Sequence, residues 1–169
     1  MRQLILIAHN LRSAHNVGSL LRTCEGLGID TVYLTGYTPY PARAGDERLP
    51  HLAQKIDRQI AKTALGAEKS AAWQHQADIN AVLSGLKDRS FVIAALEQAP
   101  GSVKLPGFDP PDKLALVVGR EVEGLEPEIL AICDPILEIP MFGRKESFNV
   151  VQAAAMALYH CRFVSAGVV

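Results

Sequence analysis

Five short runs of apolar, largely β-branched residues recur along this chain: "QLILIAH", "TVYLTG", "FVIAALE", "LALVVG" and "PILEIP", with stretches of helical period between them. No other feature constrains the fold as strongly. Strands that alternate with helices pair in parallel, and a parallel sheet needs both of its faces covered. The expected fold class is therefore α/β, a mostly parallel sheet covered by helices on both faces. The 169 residues give room for a single domain over 1–169, long enough to bury a core without staples. With 49% hydrophobic and 21% charged residues, the composition excludes a mostly disordered chain.

Local signals place several elements. "NVGSLLRTCEGLG" predicts a first helix, with Val17, Leu20, Leu21 and Cys24 at helical spacing and Gly26 or Gly28 near its end. "DINAVLSGLK" predicts an amphipathic helix feeding the strand around Phe91, and "EPEILAIC" a short helix with Pro127 in its first turn. The Pro- and Gly-punctuated stretch from Tyr37 to Pro50 is long enough to be a functional loop rather than a plain connection. Downstream, "PARAGDERLPHLAQKIDRQIAK" carries Arg43, Arg48, Lys55, Arg58 and Lys62, but Asp46, Glu47 and Asp57 are interleaved. It reads as a solvated mixed-charge face.

Other function classes lack their signatures. No run is long enough to span a membrane, and "LILIA" has neither the basic flank nor the cleavage site of a secretory signal, so a cytoplasmic protein is expected. Cys24, Cys133 and Cys161 are far apart and odd in number, which predicts buried free thiols. The five histidines show no ligand spacing, so no metal is expected. A net charge of −1 announces no nucleic-acid partner, so such a partner would have to meet a local patch, for which Arg43, Arg48, Lys55, Arg58 and Lys62, with Arg144 and Lys145, are the best candidates against the solvated-face reading. "GLGIDT" has two glycines of a dinucleotide fingerprint but Thr31 in place of the third, and it follows a helix rather than a strand; no Walker-type loop exists either.

In open α/β sheets ligands collect beyond the carboxyl ends of strands. Three exits carry unusual chemistry: "NLRSAHNVGSLLRT", "GREVEGL" and "MFGRKESFN". Taken singly, their residues have plain explanations. Ser147 and Asn149 stand where a last helix needs caps. Glu121 and Glu123, two apart on an extended segment, would point to opposite faces and not act as a pair. Asn16 could be a capping residue and Arg22 a surface arginine.

Together and in this order, the three segments resemble the SpoU, or TrmH-like, family of RNA ribose 2′-O-methyltransferases in the SPOUT superfamily. "NVGSLLRT" supplies Asn16 and Arg22; "GREVEGL" supplies Gly119, Glu121, Gly124 and Leu125; "IPMFGRKESFN" supplies Ile139, Pro140, Met141, Gly143, Ser147 and Asn149. Phe148 replaces a usual leucine, and "VVQAAA" a commoner run of Ser, Val and Ala. The resemblance implies a C-terminal deep trefoil knot, a homodimer with the site near the subunit interface, and bound S-adenosylmethionine. It implies that backbone groups around Leu96, Gly119, Ile139 and Met141 cradle the cofactor, while Ser147 and Asn149 both cap the last helix and face the reacting centre. Gly119 and Gly143 suit such a cradle, because a residue without Cβ lets backbone approach a ligand.

The resemblance assigns Asn16, Arg22, Glu121, Ser147 and Asn149 to catalysis. A guanidinium stays protonated, so Arg22 fits a phosphate clamp that stabilises a developing alkoxide better than a literal base. Asn16 would hold the arginine or the substrate, and Glu121 would orient them. RNA is the implied partner, since the 2′-hydroxyl distinguishes it from DNA. Transfer RNA is the expected substrate and ribosomal RNA the alternative, with no separate RNA-binding domain evident. Two rival readings are a catalytically silent RNA-binding module of the same fold and a nucleotide-binding oxidoreductase. The first would lack Arg22 or the Ser–Asn pair; the second would bind a nicotinamide or flavin.

Overall fold

The computed structural model describes residues 1–164. Seven strands, β1 (Gln3–His9), β2 (Thr31–Thr35), β3 (Trp73–Gln76), β4 (Val92–Leu96), β5 (Val103–Lys104), β6 (Lys113–Val118) and β7 (Ile136–Glu138), form one sheet. Its order is β3-β2-β1-β6-β4-β7-β5, and every strand pair is parallel. All five runs read as strands are strands. Two more, β3 ("WQHQ") and β5 ("VK"), were illegible because their residues are polar or few. Such edge strands join through backbone pairing rather than through a buried apolar face.

The central strands bury both faces, so successive side chains serve different layers. Leu4, Leu6 and Ala8 of β1 and Leu114, Leu116 and Val118 of β6 face one core, together with α1 (Ala14–Gly26), α2 (Pro50–Ala64) and α6 (Val150–Phe163). Ile5 and Ile7, with Ala115 and Val117, face the other, under α4 (Ile79–Asp88) and the short α5 (Pro127–Leu130). A four-residue α3 (Ala67–Ser70) follows α2. Cys24, Cys133 and Cys161 are free and buried.

Helix α1 lies hard against α2 because Gly18 has no side chain: a Cβ there would collide with the Ile60 carbonyl oxygen and Thr63 Oγ1. Thr63 Oγ1 also donates to the carbonyl of His15 at 2.7 Å. The segment between β2 and α2 has no regular structure, as its Pro and Gly content predicts. It is held by Arg48, whose guanidinium lies 3.6 Å from the centre of the Tyr40 ring and pairs with Asp46, keeping that carboxyl well below the usual range.

The order of strands sets the site. After β4 the chain runs to the edge strand β5, returns to place β6 between β1 and β4, then inserts β7 between β4 and β5. The loops that leave β4, β6 and β7 consequently emerge side by side at one end of the sheet, where strand direction of travel reverses.

Candidate active site

Those three loops enclose a cleft of about 320 Å³ whose lining includes Leu96, Glu97, Gly119, Glu121, Ile139 and Ser147. The second and third sequence segments thus meet in one cavity. Met141, half-buried in the loop after β7, and Asn149 lie outside the lining.

Asn149 is the N-cap of α6: its Oδ1 accepts from the Val151 N–H at 2.9 Å. Ser147 does not share that role, which corrects the expectation of a double cap. Two residues before the cap, it is exposed and turned to the cleft. Asn16 is not a cap either. Ser13 caps α1 by accepting from the Asn16 N–H, which frees the Asn16 side chain to donate to Glu121 Oε1 at 2.9 Å. Residues 121–123 form a turn closed by a bridge between Arg120 and Gly124, not the extended segment expected. The two glutamates still serve different partners, Glu121 taking Asn16 and Glu123 taking Arg12 at 2.9 Å.

Gly119 lines the cleft and also has a packing role. A Cβ there would stand 2.8 Å from the Gly124 carbonyl carbon and from Leu125 N and Cγ, so the missing side chain lets the "GREVEGL" turn fold back on its own strand. Gly143 has nothing within 4 Å of such a position. Arg22 does not reach the cleft. It is exposed on α1 beside a separate shallow recess shared with Thr23, Gly26, Leu27, Ala155 and Tyr159.

Two groups escaped the sequence reading. Glu97, at the exit of β4, lines the cleft and accepts the Leu125 N–H at 2.9 Å, pinning the second-segment turn. Burial pushes its carboxyl pKa up. Its signal was the single charge closing "FVIAALE", at a fourth strand exit. The other group is a half-buried junction of β1, β2 and the loop after β6, in which only His9 and Thr35 are fully buried. His9 Nδ1 and Thr35 Oγ1 are 2.8 Å apart, Asn10 Nδ2 donates to Glu126 Oε1 at 2.9 Å, and Arg120 lies 3.4 Å from the same oxygen. Burial lowers the pKa of His9, against the pull of Glu126. Glu126 Oε2 is buried with no hydrogen-bond partner, 3.4 Å from His9 Nε2. No local pattern could have joined residues more than a hundred positions apart.

Among the described residues no group of His, Cys, Asp or Glu is placed to hold a metal ion, and no helix is long and apolar enough to cross a membrane. The cleft instead has the size of a small-molecule site, with the carboxylates of Glu97, Glu121, Glu123 and Glu146 and one cation, Arg120, about it. Fold and site together define an α/β ligand-binding protein whose site is built from the loops of a re-entrant parallel sheet. The chain belongs to the SpoU rRNA methylase family, whose model matches residues 3–159.

A tRNA (guanosine(18)-2′-O)-methyltransferase of Aquifex aeolicus is 30% identical over 161 residues, covering 95% of this chain and 69% of that protein. The 23S rRNA (guanosine-2′-O-)-methyltransferase RlmB of Neisseria meningitidis is 29% identical, over 94% of this chain and 58% of its own length. The chain thus spans little more than half of several curated relatives. Among solved structures, the A. aeolicus TrmH/SpoU tRNA modifying enzyme superposes with a TM-score of 0.78 at 27% identity, over 96% of this chain and 75% of that one. AviRb from Streptomyces viridochromogenes, solved in complex with the cofactor AdoMet, shares the fold with a TM-score of 0.77 at 21% identity, over 94% and 56%.

Proposed function

We propose that this chain is an S-adenosylmethionine-dependent methyltransferase that modifies a ribose 2′-hydroxyl of RNA, with transfer RNA as substrate class and ribosomal RNA as the alternative. The observation that carries the reading is the acid-lined cleft where the second and third family segments converge. Its size suits a nucleoside-sized ligand, and its carboxylates suit one bearing a sulfonium and an ammonium group. Leu96, Gly119 and Ile139 would hold the cofactor, with Met141 on the adjoining loop. When bound, the cofactor supplies an electrophilic methyl group.

The chain's own residues would then position the RNA. The Asn16–Glu121 hydrogen bond fixes the second-segment turn against α1, while Ser147 faces the cleft and Asn149 anchors the helix behind it. Arg22, always cationic, would clamp the phosphate next to the target ribose and stabilise charge developing on its oxygen. Because Arg22 lies away from its own cleft, this role requires a second copy. In our reading the chain is a homodimer that docks through α1 and α6, where Met156, Tyr159 and Phe163 are exposed at 37%, 58% and 58%. An isologous pairing there would carry each Arg22 toward the partner's site. We also read the insertion of β7 between β4 and β5 as part of a deep trefoil knot, a topology that general rules disfavour and that the resemblance of the three segments implies. A cytoplasmic location accords with this function.

The test is transfer of radiolabelled methyl groups to purified transfer and ribosomal RNA, with mapping of 2′-O-methyl nucleosides. Label in transfer RNA is the expected result, and label in ribosomal RNA alone selects the alternative. No transfer to either, with no S-adenosylmethionine binding by calorimetry, overturns the assignment.

A further inference from the structure

The stretch read from sequence as a mixed-charge face is not mixed once folded. Helix α2 buries Ala53, Ile60 and Ala64 on one side. His51, Lys55, Arg58 and Lys62 follow one another at spacings of four, three and four, which puts them on a single stripe opposite that side. All four are exposed. Over 51–62 the stripe runs about 16 Å along the axis, at 1.5 Å per residue.

The acids interleaved in sequence are turned elsewhere. Asp57 sits near the buried edge and accepts the Ala42 N–H at 2.9 Å. Asp46 is committed to Arg48 in the preceding loop. Among the described residues none of Lys55, Arg58 and Lys62 is in a salt bridge, and neither Asp57 nor Glu47, on the loop before the helix, is paired with a cation. Gln54 and Gln59 flank the stripe with neutral side chains.

The stripe also has a structural connection to the cleft. Thr63, beside Lys62, donates to the carbonyl of His15; the next residue, Asn16, donates to Glu121 in the turn that lines the cleft. The Gly18 contact holds α2 rigidly on α1 along the way. A polyanion laid along Lys55, Arg58 and Lys62 would thus lead to the start of α1 and the second-segment turn. In the cleft lining four carboxylates, one of them paired with Arg12, outnumber the single cation Arg120, so a cationic surface beside it is what an RNA backbone needs for docking.

We propose that the outer face of α2 is an RNA-docking rail, in which Lys55, Arg58 and Lys62 contact backbone phosphates and hand the substrate toward the cleft. The proposal rests on the reading of the substrate as RNA. It assigns grip without sequence preference, since phosphate contacts position a nucleic acid and do not read its bases.

The experiment compares wild type with the triple variant Lys55→Gln, Arg58→Gln, Lys62→Gln, in the full chain, binding bulk transfer RNA over a series of KCl concentrations. Glutamine keeps helix propensity at these exposed positions, and equal thermal melting confirms that the variant is folded. Each lost phosphate contact reduces the slope of log affinity against log salt by about 0.7–0.9, so the triple variant should lose about two to three units of slope. KM for RNA should rise several-fold, with S-adenosylmethionine affinity unchanged. Lys87→Gln, on α4 across the sheet, is the control and should change neither. A triple variant with wild-type slope and affinity overturns the rail, as does an equal loss in the Lys87 control. So does binding of the wild type to an acidic protein or anionic vesicle, but not to RNA. Failure of the broader assignment looks different: a wild type that binds RNA with a stripe-dependent slope but neither binds S-adenosylmethionine nor transfers methyl groups leaves the rail standing and removes the enzyme.

Discussion

Gly119→Ala should damage this protein through packing inside the site, before any ligand is involved. The new methyl would stand 2.8 Å from three atoms of Gly124 and Leu125, two of them backbone, whereas non-bonded carbons settle at about 3.5–4.0 Å. The turn would have to retreat by roughly 1 Å to restore that spacing. It is poorly free to do so, since Glu97 holds the Leu125 N–H at 2.9 Å and Arg120 Nε holds the Gly124 carbonyl at 3.2 Å. Overpacking of this kind costs about 1–3 kcal/mol. For a chain of this size, that lowers the melting temperature by about 2–12 °C. Glu121 moves with the turn, so methyl transfer should fall as well. Gly143→Ala is the matched contrast. Nothing lies near its added methyl, and the smaller entropy of the unfolded chain should leave stability level or higher by about 0.4–1 kcal/mol. Thermal unfolding followed by circular dichroism, with a parallel cofactor titration, reads both. A Gly119→Ala protein that melts and binds cofactor like wild type would refute the packing argument.

Three further outcomes follow from the site. Asn149→Ala should cost about 1 kcal/mol through the lost cap to Val151, and Asn149→Asp should recover the stability without the amide; an Ala variant melting unchanged denies the cap any weight. Arg22→Ala should lower turnover by about two orders of magnitude with cofactor affinity intact. If Arg22 acts on the partner's cleft, mixing that variant with a cleft-filling Ser147→Trp protein should restore about a quarter of wild-type activity, one working site in each mixed dimer. No recovery would place Arg22 in its own subunit's chemistry. His9 is held below its ordinary 6.5 by burial, so between the lowered folded value and 6.5 the unfolded chain binds more protons. Stability present above that window is lost as pH falls through it, and His75, lowered in the same way, adds to the loss. His9→Gln should flatten this acid slope in denaturant titrations, and an unaltered slope would show that His9 does not carry it.

What the sequence alone determined was what local pattern can carry. Apolar runs named the five inner strands, because residues buried on both faces must be apolar whatever their neighbours. The three polar segments at strand exits named the family. Capping chemistry marked the last helix, although it could not say that Asn149 caps while Ser147 is left to the cleft. That choice depends on backbone angles over two residues and not on residue type. Tertiary structure decided the rest. The order β3-β2-β1-β6-β4-β7-β5 follows from how seven strands share one sheet, and this order brings the loops after β4, β6 and β7 together. Glu97, His9, Asn10 and Glu126 acquired roles only when distant segments met. The charges of α2 separated into a cationic face only when the buried side of the helix was fixed. Hydrophobic periodicity is written along the chain, but burial, collision and charge segregation are properties of surfaces brought together, and they exist only after the chain has folded.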